Sequence, residues 1–359
     1  MNDTTLEKLK PADIALPRLG FLGAGWIGRQ RMECIASSRA GNIAYICDSS
    51  PAAIDGVLQG NPGVKVARDF DELLDAELDG IVIATPSALH AEQSIRALER
   101  GMAVFCQKPL GRNASEVAAI IRAGESANRL LGVDLSYRFT QGMRQVHRMV
   151  ASGNIGEVYA CDLVFHNAYG PDKPWFYDSR LSGGGCVMDL GVHLVDLALW
   201  TLGFPAVERV TSSLFAGGKR LEEISNQVED YGIATIELTS GAVVRLACSW
   251  KLPVGCDAII SADFYGAKGG LAFHNVNGSF YDFVAEQFQG TSRTILASPP
   301  DAWGGRAAVA WARQLQQVGA FDSEICHAIE VAAVLDAIYG RDELHTSELK
   351  VNMPAESRA

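Results

Sequence analysis

The sequence has no long hydrophobic run and has fewer basic than acidic residues. No apolar stretch approaches the roughly 20 residues that a membrane-spanning helix needs, so we expect no membrane association. Lys and Arg number 31 against 42 Asp and Glu, which gives a formal net charge of −11. A protein that binds the nucleic-acid backbone needs a basic surface. This charge balance therefore argues against a nucleic-acid partner.

The cysteines lack the spacings of metal sites. None of the eight forms a C-x-x-C pair, and no Cys/His spacing is typical of zinc, so we expect no metal. Most of them lie in apolar segments, which is typical of buried, reduced thiols. The first residues, M-N-D-T-T-L-E-K-L-K-P, also lack the charged-then-apolar pattern of a signal peptide. Together these features indicate a cytoplasmic protein.

The chain is long enough for two globular domains. Its 359 residues are 48% hydrophobic and 20% charged, as in globular proteins with a sizeable core. Short apolar strands alternate with helices as far as residue 136, where the pattern changes. We therefore predict a first domain at 1–136 and a second at 137–359.

The stretch L-G-F-L-G-A-G-W-I-G at Leu19–Gly28 is the first motif with a chemical meaning. An apolar strand leads into G-x-G-x-x-G, and a helix follows. In this setting Gly23 permits a tight turn, Gly25 lets the backbone approach a pyrophosphate, and Gly28 allows close helix packing. The helix N-terminus favours the negative charge of the ligand. The motif therefore predicts a dinucleotide-binding βαβ unit.

Asp48 closes the second predicted strand, 20 residues after Gly28. An acidic residue at this distance hydrogen-bonds the adenosine ribose hydroxyls. Its carboxylate would repel a 2′-phosphate, so we predict NAD and regard NADP as less favoured. The alternative is that Asp48 only caps the helix that starts near Pro51.

The alternating strands of the first segment predict a parallel sheet that is covered on both faces. Ligands bind beyond the carboxyl ends of such strands. Residues that directly follow strands are therefore candidates: Gly23–Gly28, Asp48, Thr85-Pro86, Gln107-Lys108 and Ser136–Phe139. Lys108 at this edge could stabilise a developing alkoxide, although a solvated lysine at a strand end is the alternative.

In the second segment, the apolar stretch V-M-D-L-G-V-H-L-V-D-L-A-L-W-T-L predicts a helix of about four turns. Asp189 and His193 are four residues apart, so we expect them on one face. A carboxylate beside an imidazole fixes its orientation and favours its protonated form, giving a proton carrier near neutral pH. The alternative is a structural pair in a helix core. We interpret Asp196, one turn further on, as structural.

The rest of the chain is rich in strands with short connections, which predicts a mostly antiparallel sheet. We therefore predict an α/β protein: an N-terminal Rossmann domain and a C-terminal α+β domain with a large, open sheet. Two helices at the end of the chain would cover one face of that sheet. Pairing of subunits through the other face would give a homodimer or homotetramer.

The ordered set of motifs resembles the Gfo/Idh/MocA family, named after glucose–fructose oxidoreductase and inositol dehydrogenase. The resemblance runs from about residue 18 to about residue 340. Its motifs are G-x-G-x-x-G at Gly23–Gly28, Asp48, A-T-P-S-x-x-H at Ala84–His90, K-P at Lys108-Pro109, Y-R-F at Tyr137–Phe139, and G-G-G-x-x-x-D-x-G-x-H at Gly183–His193.

The resemblance implies a Rossmann domain and an open-sheet domain with the substrate between them. It implies NAD- or NADP-dependent hydride transfer to or from a secondary alcohol of a sugar, polyol or glycoside. Lys108 matches the lysine at the nicotinamide and substrate, and Asp189 and His193 match the substrate-binding and acid–base residues. The predicted cofactor contacts are Gly23, Gly25, Trp26, Ile27, Gly28, Asp48, Ser49, Thr85, Pro86, His90, Gln107 and Lys108.

One residue departs from the family pattern. The family usually has Glu before the lysine, and this chain has Gln107. Without that carboxylate the pKa of Lys108 is expected to be lower than in the usual arrangement, unless a carboxylate from elsewhere compensates.

The sequence thus predicts that His193 takes the hydroxyl proton while Lys108 stabilises the alkoxide. Asp189 orients His193, the substrate, or both. The predicted substrate contacts are Lys108, Asp189, His193, Tyr137, Arg138, Trp175 and Tyr177, since aromatic faces and planar donors suit polyhydroxylated rings. Two alternatives stay open. One is a tightly bound cofactor that is recycled between sugars or in glycoside cleavage, and the other is a non-catalytic metabolite-binding protein.

Overall fold

The computed structural model describes residues 15–222 and 227–341. The outer ends of the two predicted domains, 1–14 and 342–359, lie outside the described residues. The first of these ends includes the stretch that lacks the pattern of a signal peptide. The described chain forms two sheets, one with six strands and one with nine.

The first sheet is parallel throughout and has helices on both faces. Its strands are β1 (Arg18–Leu22), β2 (Asn42–Cys47), β3 (Lys65–Val66), β4 (Gly80–Ile83), β5 (Ala103–Cys106) and β6 (Leu131–Val133). Its helices are α1 (Trp26–Ser37), α2 (Pro51–Gly60), α3 (Phe70–Leu74), α4 (His90–Glu99) and α5 (Ala114–Ala127). Every residue of β4 and β5 is buried, which explains their uninterrupted apolar sequences.

The strand order is β3-β2-β1-β4-β5-β6, which is the doubly wound Rossmann order. The chain reverses direction across the sheet between β1 and β4, and ligands bind at this point, beyond the carboxyl ends of the strands. The glycine turn follows β1, and Thr85-Pro86 follows β4, so both predicted cofactor segments flank the reversal.

The second sheet is open and mostly antiparallel, with one parallel pair, β7 and β11. Its strands are β7 (Val158–Asn167), β8 (Val207–Ala216), β9 (Lys219–Arg220), β10 (Tyr231–Leu238), β11 (Val243–Ser249), β12 (Ala258–Gly266), β13 (Gly269–Asn275), β14 (Phe283–Gln289) and β15 (Ser292–Ala297). Its helices are α6 (Gln141–Ala151), α7 (Ser179–Ser182) and α8 (Val192–Thr201), and two further helices, α9 (Arg306–Gln317) and α10 (His327–Ile338), end the described chain. The observed fold confirms the predicted class, a Rossmann sheet followed by a second, mostly antiparallel sheet.

Helices α6, α8 and α10 pack on one face of the second sheet. On the other face, Ile233, Ile259 and Tyr265 are exposed. Among the described helices, none is long and apolar enough to cross a membrane.

The structure differs from the predictions made from the sequence in two helices of the second segment. The predicted four-turn helix begins with a π-helical turn at Val187–Gly191 before α8 starts. Helix α9 returns to the first sheet, where it packs against α1 and β5 and contributes Ala308 and Trp311 to that core. The division after residue 136 stays a prediction, and one helix of the second segment packs as part of the first.

Candidate active site

A cavity of about 540 Å³ lies between the two sheets, at the carboxyl edge of the first. It is lined by residues that are widely separated in the sequence. The predicted site residues among them are Gly25, Trp26, Ile27, Gly28, Thr85, Pro86, His90, Gln107, Lys108, Tyr137, Trp175, Asp189 and His193.

Lys108 and Asp189 meet directly in this cavity, one from each sheet's domain. The Lys108 ammonium donates to Asp189 Oδ1 at 2.5 Å and to the Asp189 main-chain oxygen at 2.7 Å. The other carboxylate oxygen, Oδ2, accepts from the Trp250 indole at 3.1 Å. Asp189 therefore supplies Lys108 with the carboxylate that Gln107 lacks, which answers the question that the sequence left open.

The predicted contact between Asp189 and His193 is wrong. Both Asp189 oxygens are bound by Lys108 and Trp250, and the His193 ring packs instead against Tyr137, with 5.0 Å between ring centroids. The physical reason is the π-helical turn that contains Asp189. Within this turn the Asp189 carboxylate is held by Lys108 and Trp250, which are distant in the sequence.

His193 is also not held in its protonated form. Burial is the main cause that lowers its pKa well below the usual value, and the charges of Lys108 and Arg31 lower it further. Desolvation disfavours the charged form of an imidazole. His193 is therefore neutral near pH 7 and has a ring nitrogen free to accept a proton.

Glycine is needed at the three positions of the turn for different physical reasons. A Cβ on Gly28 would lie 2.1 Å from the Gly23 main-chain oxygen, and one on Gly23, at φ +95°, would lie 2.5 Å from the Ala84 oxygen. Packing therefore requires these two glycines. A Cβ on Gly25 would meet no protein atom within 4 Å, and Gly25 has an ordinary φ of −63°. Open space beside the uncapped start of α1 fits a bound pyrophosphate.

Asp48 fastens this turn to the end of β2. Its carboxylate accepts from the Ala24 N–H at 2.6 Å and the Ser50 N–H at 2.7 Å. Helix α2 is capped by Ser50 and not by Asp48, so the capping alternative is wrong. Gly23, Asp48 and Ser49 adjoin the glycine turn or β2 but are not among the residues that line the cavity.

His90 joins two loops at the cavity. Its Nδ1 lies 2.7 Å from the Pro109 oxygen and its Nε2 lies 2.8 Å from the Thr85 oxygen. Burial lowers the pKa of this imidazole, and a neutral ring can donate to only one of these two carbonyls. His90 therefore contacts both the Thr85 loop and the loop that follows Lys108, and it donates a hydrogen bond to one of them.

Gln107 belongs to a buried polar cluster that sequence reasoning missed. Its amide nitrogen donates to Asp134 Oδ2 at 2.6 Å, and Arg31 Nε donates to the same oxygen at 2.5 Å. Ser136 donates to Asp134 Oδ1 at 2.6 Å. Arg31 and Asp134 are each 1% exposed, so the charges are paired inside the protein. Asp134 directly follows β6, and this position at the end of a strand is the feature of the sequence that could have identified it.

Glu229 supports the start of the helical segment that carries Asp189. Its buried carboxylate accepts from the Gly185 N–H at 3.0 Å, the Val187 N–H at 2.9 Å and the Tyr339 hydroxyl at 2.8 Å. A Cβ on Gly185 would lie 1.9 Å from the Glu229 main-chain oxygen. The glycine-rich loop is therefore shaped by packing over Glu229. No local pattern in the sequence connects residue 229 with this loop.

Two predicted substrate contacts lie outside the cavity lining. The Arg138 guanidinium donates through Nε to both oxygens of Asp196, at 3.0 and 2.8 Å, and Asp196 is buried. Tyr177 donates its hydroxyl to the Pro171 oxygen at 3.0 Å. Asp196 thus has the structural role that we expected, and we leave Arg138 and Tyr177 out of the substrate set.

Aromatic side chains form much of the cavity wall. Tyr137 and Trp175 were predicted, while Phe176 and Trp303 were not. Trp175 stacks on Phe176 with 3.8 Å between ring centroids. Such a wall offers flat apolar faces between the polar groups of Lys108, Asp189 and His193. A wall of this kind suits a ligand that has both apolar faces and hydroxyl groups.

The Rossmann sheet and the cavity at its carboxyl edge are the architecture of a dinucleotide-binding protein. Residues 17–135 match the family model described as "Oxidoreductase family, NAD-binding Rossmann fold", and residues 143–272 match the "GFO/IDH/MocA C-terminal domain". The chain belongs to the Gfo/Idh/MocA family of oxidoreductases, as the sequence motifs predicted.

Named relatives are similar over most of the chain. D-glucoside 3-dehydrogenase of Escherichia coli (strain K12) is 26% identical over 265 residues, covering 70% of this chain and 76% of that protein. Inositol 2-dehydrogenase of Rhizobium meliloti (strain 1021) is 28% identical over 261 residues, covering 72% and 76%. Levoglucosan dehydrogenase in complex with NADH has a similar fold, with a TM-score of 0.76, 20% identity, and coverage of 90% and 96%.

Proposed function

We propose that this protein catalyses reversible hydride transfer between NAD and a secondary alcohol of a sugar, polyol or glycoside. The observation that carries the proposal is the contact of Lys108 with Asp189 in one cavity with neutral His193, at the carboxyl edge of a Rossmann sheet. The names of the sugar and polyol dehydrogenases that are similar to this chain support the substrate class.

The glycine turn would hold the cofactor. The space beside Gly25 and the free N–H groups at the start of α1 would receive the pyrophosphate. The Asp48 carboxylate, directed by two backbone N–H groups, would accept hydrogen bonds from ribose hydroxyls and repel a 2′-phosphate, which supports NAD over NADP. The nicotinamide, when bound, supplies the hydride acceptor or donor.

The protein's own groups would handle the proton and the charge on oxygen. His193, neutral at pH 7, accepts the hydroxyl proton at a ring nitrogen. Lys108 donates a hydrogen bond to the same substrate oxygen as negative charge develops there. Asp189 holds the ammonium of Lys108 in place through two hydrogen bonds. Tyr137 and Trp175 would contact the faces of the sugar.

The experiment that tests this proposal is a screen of sugars, polyols and glycosides with NAD and NADP separately, following reduced nicotinamide absorbance. With a responding substrate, Lys108→Ala and His193→Ala should each lower kcat about 10²- to 10⁴-fold while NAD still binds, because proton transfer and oxyanion stabilisation contribute at this scale. The exposed Lys65→Ala serves as the matched control.

Two results would contradict the proposal. A lack of response to every carbohydrate would overturn the substrate class, and near wild-type turnover in both variants would overturn the residue roles. Bound nucleotide after gel filtration, with activity in the absence of added NAD, would instead favour a recycled cofactor. Membership in an oxidoreductase family leaves the non-catalytic alternative without support.

We also propose a homodimer or homotetramer that pairs through the outer face of the second sheet. Helices α6, α8 and α10 cover the opposite face, while Ile233, Ile259 and Tyr265 are exposed on this one, and this difference between the faces supports the proposal. Light scattering should give a dimer or tetramer mass, and Ile259→Lys should lower it. A cytoplasmic location remains part of the proposal and is supported by eight free cysteines.

A further inference from the structure

A second cavity, of about 810 Å³, lies where the end of α1, helix α6 and the start of α9 meet. It shares no lining residue with the active-site cavity. Four arginines line it, namely Arg144 and Arg148 on α6 and Arg306 and Arg313 on α9. We call this cavity the arginine groove.

Within the part of the chain that the structure describes, the arginine groove is lined by positive and not by negative side chains. No Asp or Glu is among its described lining residues, although the chain as a whole has a formal net charge of −11. Arg144 and Arg148 are four residues apart on one helix, a spacing at which like charges repel. The positive charge here is therefore a local arrangement and does not reflect an overall excess of basic residues.

Three of these guanidinium groups have no carboxylate partner within the described parts of the chain. Arg306 pairs with Asp301 at 2.6 Å. Arg144 instead lies over the Phe139 ring, 5.2 Å from its centroid, and Arg148 donates to the Arg144 main-chain oxygen at 3.2 Å. No ion pair involves Arg313 in residues 15–222 and 227–341. Unpaired guanidinium donors thus remain on both sides of the groove.

A histidine also lines the arginine groove. His147 lies on α6 between the two arginines, and its ring stacks on Trp200 with 4.1 Å between centroids. Its Nδ1 is buried and has no hydrogen-bond partner among the described residues. Buried polar atoms in native proteins normally have a partner. Because this Nδ1 atom has almost no solvent-accessible surface, a ligand in the groove has to be bound by the arginine side chains.

The arginines of the groove favour an oxyanion, and phosphate fits their arrangement. Planar guanidinium groups bind phosphate oxygens through paired hydrogen bonds, and a doubly charged group can offset arginines on both helices at once. The volume of about 810 Å³ lies within the range of small-molecule sites. We propose that the arginine groove binds the phosphate or pyrophosphate group of a small phosphorylated metabolite.

The test uses the full chain saturated with NAD, so that pyrophosphate cannot occupy the glycine turn. Inorganic pyrophosphate, inorganic phosphate and a sugar monophosphate are titrated separately by calorimetry at constant ionic strength. We expect saturable binding that weakens steeply with added salt. The double variant Arg144→Gln/Arg313→Gln should lose at least tenfold in affinity, while Arg122→Gln, an exposed helix arginine elsewhere, should bind like the wild type.

The three ligands distinguish the sources of the phosphate group. Tight binding of the sugar monophosphate alone would identify an organic phosphate, and equal binding of all three would identify the inorganic group as sufficient. Binding that is unchanged in the double variant, or no heat above that of a sodium chloride blank, would overturn the proposal. NAD affinity of the double variant should stay at the wild-type value, which separates this groove from the cofactor site.

Discussion

Replacing Gly25 with alanine tests whether glycine is required here by the folded protein or by a bound cofactor. A Cβ at this position meets no protein atom within 4 Å, and the backbone φ of −63° is one that alanine adopts readily. The folded protein should therefore accept the methyl group without strain. Only a ligand that approaches the backbone closely would encounter it.

The expected magnitudes follow from this geometry. Gly→Ala at a compatible φ stabilises a protein by about 0.4–1 kcal/mol through the unfolded state. Displacing the pyrophosphate far enough to lose one charged hydrogen bond costs about 1.5–3 kcal/mol. At about 1.4 kcal/mol per tenfold, NAD affinity should fall roughly 10- to 150-fold.

Gly28→Ala is the matched control, since its Cβ would lie 2.1 Å from the Gly23 main-chain oxygen. We expect it to lower the free energy of unfolding by about 3 kcal/mol, because backbone atoms cannot yield easily. Urea unfolding measures stability, and quenching of tryptophan fluorescence measures NAD binding. Wild-type NAD affinity in Gly25→Ala would refute the assignment of this turn as the cofactor site.

Three further variants test groups around the cavity. Gln107→Glu would place a second carboxylate against buried Asp134. We expect the free energy of unfolding, measured in urea, to fall by about 2–4 kcal/mol at pH 7 and by less at pH 5. Stability equal to that of the wild type at pH 7 would contradict this expectation. The unfolded state protonates His193 below about pH 6.5 and the folded state does not, so wild-type stability falls as the pH drops below 6.5. His193→Asn should make that fall shallower by up to about 1.4 kcal/mol per pH unit, and an identical slope would show that His193 titrates normally. Glu229→Gln would point amide hydrogens at one of the N–H or O–H donors. This substitution should lower the free energy of unfolding by about 1–3 kcal/mol and raise KM as the turn that carries Asp189 shifts. Unchanged KM and stability would show that Glu229 does not support this turn.

Much of the first domain could be predicted because its signals are local. The strands of a covered parallel sheet are apolar throughout, and the jobs of Gly23, Gly25 and Gly28 follow from their spacing within one turn. The family was predicted from the same ordered motifs and is confirmed. The roles of the individual site residues and the choice of NAD stay predictions.

The predicted contact between Asp189 and His193 failed because the partners of Asp189 are distant in the sequence. Lys108 and Trp250 bind the Asp189 carboxylate, and the segment that carries Asp189 starts as a π-helical turn. That turn is held by Glu229 and Tyr339, which are distant in the sequence. Helical periodicity alone could not reveal the irregularity.

Local signals in the sequence are enough to predict the Rossmann sheet, the glycine turn and the polar groups at strand ends, because these depend on neighbours within a few residues. The pairing of those groups depends on contacts between distant parts of the chain, which become visible in the folded structure. Lys108 binds Asp189 across 81 residues, and Arg31 binds Asp134 across 103. The first contact joins the two sheets' units, and the second joins a helix and a strand end of the first sheet. The packing of the two units directs Asp189 to Lys108 and leaves His193 buried and neutral.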